Sequence, residues 1–403
     1  AQTLQTILDG ETIKRYDALL ELLAGLLLGI AIILITRFLP YWVIGLALIG
    51  TFGSGIYYFQ YMFTSQLVLV DITWALLTFF IVGFHSTFNR FILEFRLKQQ
   101  IRKQFEHYLD PRQVAALQKN PDLLKLGGDR REMSFLFMDI IGFTPISEFY
   151  KNKDDPEGLV ELVDEFLDDM TNIILNNGGM VDKFMGDCIM AFWNAPLDVP
   201  NQERMASEAA IAMFQSLIVL NEERKREALE ENKTFLPLNI GIGINSGDCV
   251  VGNMGSAQRF DYSVLGDAVN LAARLEGQSK SYGVGIVIGE ETALAIDGHF
   301  PLAELDLIAV KGKTEAVRIF TILGGPEVLQ DPDYSNVAAQ HAEMLRAYRA
   351  QDWDDAARTM NALKGRLSGV LDGFYDIYMA RLEEFRDNPP PADWDGVYVA
   401  TSK

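Results

Sequence analysis

The first ninety residues carry an apolar pattern that the rest of the chain does not share. No charged residue stands between Glu21 and Arg37 or between Arg37 and Asp71, and from Asp71 to Arg90 the only titratable side chain is His85. A membrane-crossing helix needs about 20 mostly apolar residues. Residues 18–89 therefore predict three spans, near 18–36, 41–60 and 67–89. Buried helices of a soluble core rarely run this far without a charge. The stretch "FNRFILEFRLKQQIRKQFEHYLDP" follows, with Phe88, Ile92, Phe95, Ile101, Phe105 and Tyr108 near helical spacing, a polar gap at Lys98–Gln100, and Pro111 at its end. It predicts a helix over 88–109 that leaves the membrane and either pairs with its copy in a dimer or packs on its own domain.

From residue 130 the pattern alternates between the two periodicities. Strands are expected at 134–140, 179–185, 188–194, 236–245, 248–254, 285–288, 305–310 and 316–322, and helices at 157–176, 201–231 and 267–282. A tight "MGD" centre makes 179–194 a hairpin. The whole predicts an α+β domain, a mixed sheet with helices on one face. Beyond residue 330, "HAEMLRAYRAQDWDDAARTMNAL" and "FYDIYMARLEEFRDNPPPADWDG" look like a helical pair of tetratricopeptide type followed by a Pro-rich end. One such unit buries little alone, so this tail is expected to pack on the preceding domain. It carries no evident chemistry.

Charge adds orientation. Arg90, Arg96, Lys98, Arg102 and Lys103 crowd the exit of the third span, and Arg37 lies between the first two. The excess of basic residues places both sites on the cytoplasmic face, with the N-terminus and the Thr64–Gln66 loop outside. No signal peptide precedes the first span and residue 1 is Ala, so an outer domain is expected to be missing ahead of it. The net charge of −20 belongs to the non-membrane part, and no basic stripe offers a nucleic-acid surface. Cys188 and Cys249 are the only cysteines and lie apart from any histidine, as reduced packing residues would.

The candidate chemistry begins at "FLFMDIIGFT", where an apolar strand ends on Asp139 just before a glycine turn. A buried carboxylate needs a partner: a basic side chain, a helix to cap, or a metal ion. A second acid, Asp187, sits at the turn of the hairpin "VDKFMGDCIMAFW". Two such acids suit a hard cation; magnesium is commonly held by one or two carboxylates plus substrate phosphates. Asp139 would hold the metal with the Ile140 carbonyl beside it, and Gly142, Phe143 and Thr144 could turn their N–H groups to phosphate at the next helix start. Helix capping by Asp139 is the alternative. In "RFDYSVLGDAVNLAARLE", Asn270 and Arg274 lie four apart on one helix face. Arginine suits a phosphoryl group gathering charge, although such a pair taken alone is usually a surface pair. Lys311 and Lys313 flank a glycine in "VKGKTEAVRIF", where surface hairpin lysines are the default expectation.

Taken in order, "FMDIIGFT", "DKFMGD", "YSVLGDAVNLAARLE" and "VKGK" resemble the class III nucleotide cyclases over roughly 130–323. The spans and the tail further resemble bacterial cyclases with a CHASE-type outer sensor. The resemblance implies a class III cyclase domain, a mixed sheet with helices around a ferredoxin-like core, over 130–325. Residues 1–17 would end an extracytoplasmic region, 18–89 form three transmembrane helices, 90–129 a signalling helix and linker, and 326–403 a helical tail. Asp139 and Asp187 match the family's metal-binding aspartates and Ile140 its backbone ligand, implying two divalent cations, magnesium or manganese. Lys183 matches the lysine reading adenine N1, and Ser263 falls where many members place Asp or Thr against the adenine amino group. Asn270 and Arg274 match the ribose-orienting and transition-state pair, Lys311 the lysine on the terminal phosphates, with Arg259 a further candidate there. Such sites form between two catalytic domains, so a homodimer in a bacterial inner membrane is implied, converting ATP to 3′,5′-cyclic AMP and pyrophosphate. Guanylate cyclases resemble this domain but usually carry Glu where Lys183 stands. A receptor with a degenerate cyclase domain is the rival of another class, but such domains lose the aspartates or the Asn/Arg pair.

Overall fold

Hydrophobic periodicity builds two separate units, one ending and the other beginning near residue 109. The computed structural model describes residues 14–15, 17–38, 41–106, 127–230, 234–256, 260–309, 316–391 and 393–399.

The first unit holds helices α1 (Ala18–Phe38), α2 (Tyr41–Gln66) and α3 (Thr73–Glu106), with a short parallel pair of β1 (Lys14–Arg15) and β2 (Val68–Leu69). Each helix contains a stretch long and apolar enough to cross a membrane, at 18–38, 42–66 and 73–97. On α1, Gly25, Gly29, Ile32 and Thr36 form the buried stripe. Small residues there let backbones approach, and Thr36 shares a 2.5 Å hydrogen bond with Ser86 of α3. Leu22, Leu27, Trp74 and Phe84 are exposed. The third helix starts later than the span expected from the sequence, and at its start the Asp71 carboxylate accepts from the Thr73 N–H at 3.0 Å. It then runs into the polar stretch without a break up to Glu106. The rest of the expected signalling helix, with Tyr108 and Pro111, lies outside the described residues.

The second unit is built on a nine-stranded sheet of order β11-β9-β10-β8-β6-β3-β5-β4, with β7 also paired to β6. Its strands are β3 (Gly127–Ile140), β4 (Met180–Met185), β5 (Cys188–Trp193), β6 (Ile240–Gly255), β7 (Phe260–Leu265), β8 (Ile286–Gly289), β9 (Leu302–Ala309), β10 (Val317–Ile322) and β11 (Tyr398–Val399). The expected strands 236–245 and 248–254 are one strand, because β6 stays paired to β3 along its length, from Gly127↔Asn253 to Ile140↔Ile240. Its other edge is shared between parallel β8 and antiparallel β7. Strand β7 and the short helix α8 (Glu290–Ile296) had no counterpart in the sequence pattern.

Helices cover both faces of the sheet rather than one. Leu136, Met138 and Ile140 of β3 face α5 (Pro156–Asn176) and α6 (Gln202–Glu230) through Leu162, Phe166, Met170, Met213 and Leu217. Phe135 and Phe137 point the other way, toward Val269 and Ala272 of α7 (Asp267–Tyr282). The start of α5 is set by Pro156 in its first turn and by Asp155, whose side chain accepts from the Gly158 N–H at 3.0 Å. Helix α7 lies directly on β6 because Gly243 has no side chain. A Cβ there would stand 2.1 Å from the Glu276 nitrogen and 2.4 Å from the Ala272 carbonyl oxygen.

The tail forms three helices, α9 (Tyr334–Arg349), α10 (Trp353–Leu363) and α11 (Asp372–Asp387), one more than the expected pair. They share a core with the end of α7 and with β9 through Tyr282, Leu305, Tyr348, Phe374 and Tyr378. The docking is polar as well as apolar. Tyr378 donates to the Leu305 carbonyl at 2.8 Å, His341 Nε2 donates to the Glu304 carbonyl at 2.7 Å, and β11 pairs parallel to β9. At the centre, Arg381 forms a 2.8 Å ion pair with Asp306, which also accepts from the Tyr282 hydroxyl at 2.7 Å.

Candidate active site

Asp139 is the penultimate residue of β3, and Asp187 lies in the β4–β5 turn behind Gly186, whose φ is 71°. The register Met138↔Ile189 carries the end of β3 to this turn, so the two carboxyl groups come within hydrogen-bonding reach. Burial pushes the Asp139 carboxyl up to about 6; the Asp187 charge adds to the shift and a backbone hydrogen bond from Ile140 opposes it. Among the described residues no basic side chain acts on Asp139. No helix is capped by it either: Gly142, with φ 76°, holds the N-cap position of α4 (Phe143–Asn152), without a side-chain hydrogen bond. The capping alternative is removed, and among the described residues Asp139 and Asp187 present a donor set of hard carboxylate oxygens. Asp139 and Asp187 thus fit a divalent cation of the magnesium kind, which takes few protein carboxylates. Among the described residues no group of three or more His, Cys, Asp or Glu forms a complete protein cage.

The glycine turn next to the acid pair leads from β3 into α4. Gly142 adopts a left-handed conformation that a side chain would strain, and it leads straight into α4 through Phe143 and Thr144. Gly142 and Thr144 are exposed and Phe143 is half-buried.

Asn270 and Arg274 share one face of α7, the former exposed and the latter half-buried. The helix turns a different residue toward the acids. Burial pushes the Glu276 carboxyl up to about 7, with the charges of Asp139 and Asp187 adding to the shift. Glu276 is thus an α7 residue on which both acids act. Cys188 is a third neighbour of the acids. Burial drives its thiol up to about 12, the opposite of a nucleophile's requirement.

Lys183 and Ser263, 80 positions apart in the chain, do meet. Both reach the same oxygen of Asp182: Ser263 Oγ donates to Oδ2 at 3.1 Å, and Lys183 Nζ lies 3.2 Å from it. Lys311 and Arg259 lie outside the described residues, as does Lys313. Sequence reasoning passed over Asp182 and Glu276. Asp182 could have been suspected from an acid next to a lysine within a strand-like run; Glu276 looked like an ordinary polar position of a helix.

Residues 129–324 match the family described as adenylate and guanylate cyclase catalytic domain. An adenylate cyclase of Anabaena cylindrica is 39% identical over 196 residues, which cover 48% of this chain and 37% of that protein. The chain thus spans little more than a third of that curated relative. Among solved structures, the adenylyl cyclase CyaB from P. aeruginosa is 36% identical, covering 49% of this chain and 96% of its own, with a TM-score of 0.44. A bacterial light-regulated adenylyl cyclase, 23% identical, covers 65% of this chain and 70% of its own at a TM-score of 0.50, a likeness of fold.

Proposed function

Through residues 129–324 the chain belongs to the class III nucleotide cyclase family, and from that premise we propose that it is a membrane-bound adenylate cyclase acting as a homodimer. The observation that carries the reading is the pair Asp139/Asp187, two carboxylates in reach of each other with, among the described residues, no cation acting on Asp139. The three apolar helices support a multi-pass membrane protein, and the basic residues from Arg90 onward support a cytoplasmic catalytic region.

Each site takes Asp139, Asp187 and the Ile140 carbonyl from one protomer and Lys183, Ser263, Asn270 and Arg274 from its partner. The division is the one that the resemblance to class III cyclases implies, with the aspartates from one domain and the remaining residues from the other. Two divalent cations held by the acids would supply the charge that acidifies the ribose 3′-hydroxyl and neutralises the phosphates. Asn270 orients the ribose, so that its 3′-oxygen faces the α-phosphorus in line with the departing pyrophosphate. Arg274 stabilises the charge that gathers on the α-phosphoryl oxygens, a contribution of about 3–4 kcal/mol for donors of this kind. The N–H groups of Gly142, Phe143 and Thr144 receive phosphate oxygens, and Lys311, with Arg259, meets the terminal phosphates. Lys183 donates to adenine N1, an acceptor, where guanine would present a donor.

Co-expression tests activity and shared sites together. Asp139→Ala and Arg274→Ala homodimers should each form almost no cyclic AMP from ATP with manganese. In mixed dimers both lesions fall in one site and leave the other intact, so random pairing restores about a quarter of wild-type activity by two-fold symmetry. No recovery, with mixed dimers shown by tag pull-down, would place the site within one chain. An inactive wild type would overturn the cyclase reading itself.

A further inference from the structure

A serine hydroxyl can donate or accept, so Ser263 alone does not separate the 6-amino group of adenine from the 6-carbonyl of guanine. In the fold it is not alone. Its proton is directed at Asp182 Oδ2, 3.1 Å away, and that oxygen also holds the Lys183 ammonium at 3.2 Å. The Asp182 side chain is 1% exposed and that of Lys183 45% exposed, so the acid lies beneath and the lysine reaches outward.

Adjacent strand residues normally point to opposite faces. These two share one side because β4 is bulged between Val181 and Lys183: Val181 pairs with Ala191 and Lys183 with Met190, leaving Asp182 as the extra residue. Bulges of this kind re-aim side chains next to active sites. Ser263 is placed opposite them by the pairing of β7 to β6, in register with Gly252. The second oxygen, Asp182 Oδ1, is buried and has no hydrogen-bond partner among the described residues. A buried acceptor left without a donor is costly.

We propose that Asp182 is the residue that sets base specificity: it takes the Ser263 proton, making Ser263 an acceptor for an exocyclic amine, and anchors Lys183 as donor toward the ring nitrogen beside it. The pair then presents donor and acceptor in the order that complements adenine (N1 acceptor, 6-amino donor) and opposes guanine (N1–H donor, 6-carbonyl acceptor) at both positions. Asp182 does this as a positioning residue, through Ser263 and Lys183. The inference rests on the cyclase reading above, in which those two residues face the base.

Binding to the intact 403-residue chain in detergent micelles tests it without turnover. The probes are the 3′-deoxy triphosphates of adenosine, guanosine and purine riboside, none of which can cyclise, each with manganese. Purine riboside keeps the N1 acceptor and lacks the 6-amino group. Wild type should bind the adenine probe roughly tenfold more tightly than the purine probe, one hydrogen bond's worth. Asp182→Asn should erase most of that preference and narrow the gap to the guanine probe. Ser263→Ala should erase the same preference, and adding Asp182→Asn to it should change the adenine-to-purine ratio no further. A merely structural role would weaken all three probes alike. That result, or an unchanged adenine-to-purine ratio in Asp182→Asn, would overturn the inference while leaving the cyclase reading intact. No nucleotide binding by wild type would overturn the reading beneath it.

Discussion

Burial and then the neighbouring Asp187 charge disfavour ionisation of Asp139, which is unfavourable for the metal-free fold. A site that holds like charges together for a cation has given up stability for function. Asp187→Asn should therefore separate the two properties. In chelator, the variant should melt no lower than wild type and up to ~3 °C higher, because the repulsion is gone. Turnover of ATP with magnesium should fall by at least about a hundredfold, the loss expected when a stabiliser of developing charge is removed. Differential scanning calorimetry and a cyclic AMP assay on the same preparation decide it. Near-normal turnover would remove Asp187 from the metal set.

The element that matters most is α7, which carries Asn270, Arg274 and Glu276. Its approach to β6 depends on Gly243, where an added Cβ would strike backbone, and backbone cannot rotate away as a flexible side chain can. Gly243→Ala must lift the helix or bend the strand, at a cost of about 1–3 kcal/mol or more for overpacking of this kind. The same displacement should lower cyclase activity, since Asn270 and Arg274 move with the helix. Urea denaturation and product formation should fall together. A variant as stable as wild type would mean that α7 does not rest on β6 at this point. The β4 bulge is a second element-scale device: without it, Asp182 and Lys183 would point to opposite faces of the sheet.

For the catalytic unit as a whole, the tail is part of the fold rather than an appendage, because it buries ionic groups against the sheet. The Arg381 and Asp306 side chains are 7% and 0% exposed, and Tyr282, at the end of α7, donates to the same carboxylate. Arg381→Ala would strand Asp306 without a cation, which costs about 3–5 kcal/mol when a buried pair is broken from one side. Replacing both partners, as in Arg381→Met with Asp306→Leu, should be markedly less harmful because no charge is left unpaired. Chemical denaturation of the single and double variants measures the coupling. A double variant no better than Arg381→Ala would show that packing, not charge, makes this contact.

Some of this was legible in the sequence because it is local. Uncharged runs of bilayer length mark the three apolar helices whatever surrounds them, and hydrophobic periodicity placed α5, α6 and α7 within a residue or so of their ends. The acids at the end of β3 and in the β4–β5 turn stood out because carboxylates are expensive beside apolar strands. Other features depend on partners distant in the chain. Strand β6 reads as two segments until continuous pairing with β3 joins them. Helices lie on both faces because Gly241 and Gly243 open the second face to α7, which no helical pattern records. Asp182 reads as a strand residue next to a lysine until a bulge turns it toward Ser263. Propensity and burial pattern act over a few residues and can be read along the chain. Register, close approach and the sharing of one carboxylate oxygen by residues 80 positions apart exist only once the sheet has formed.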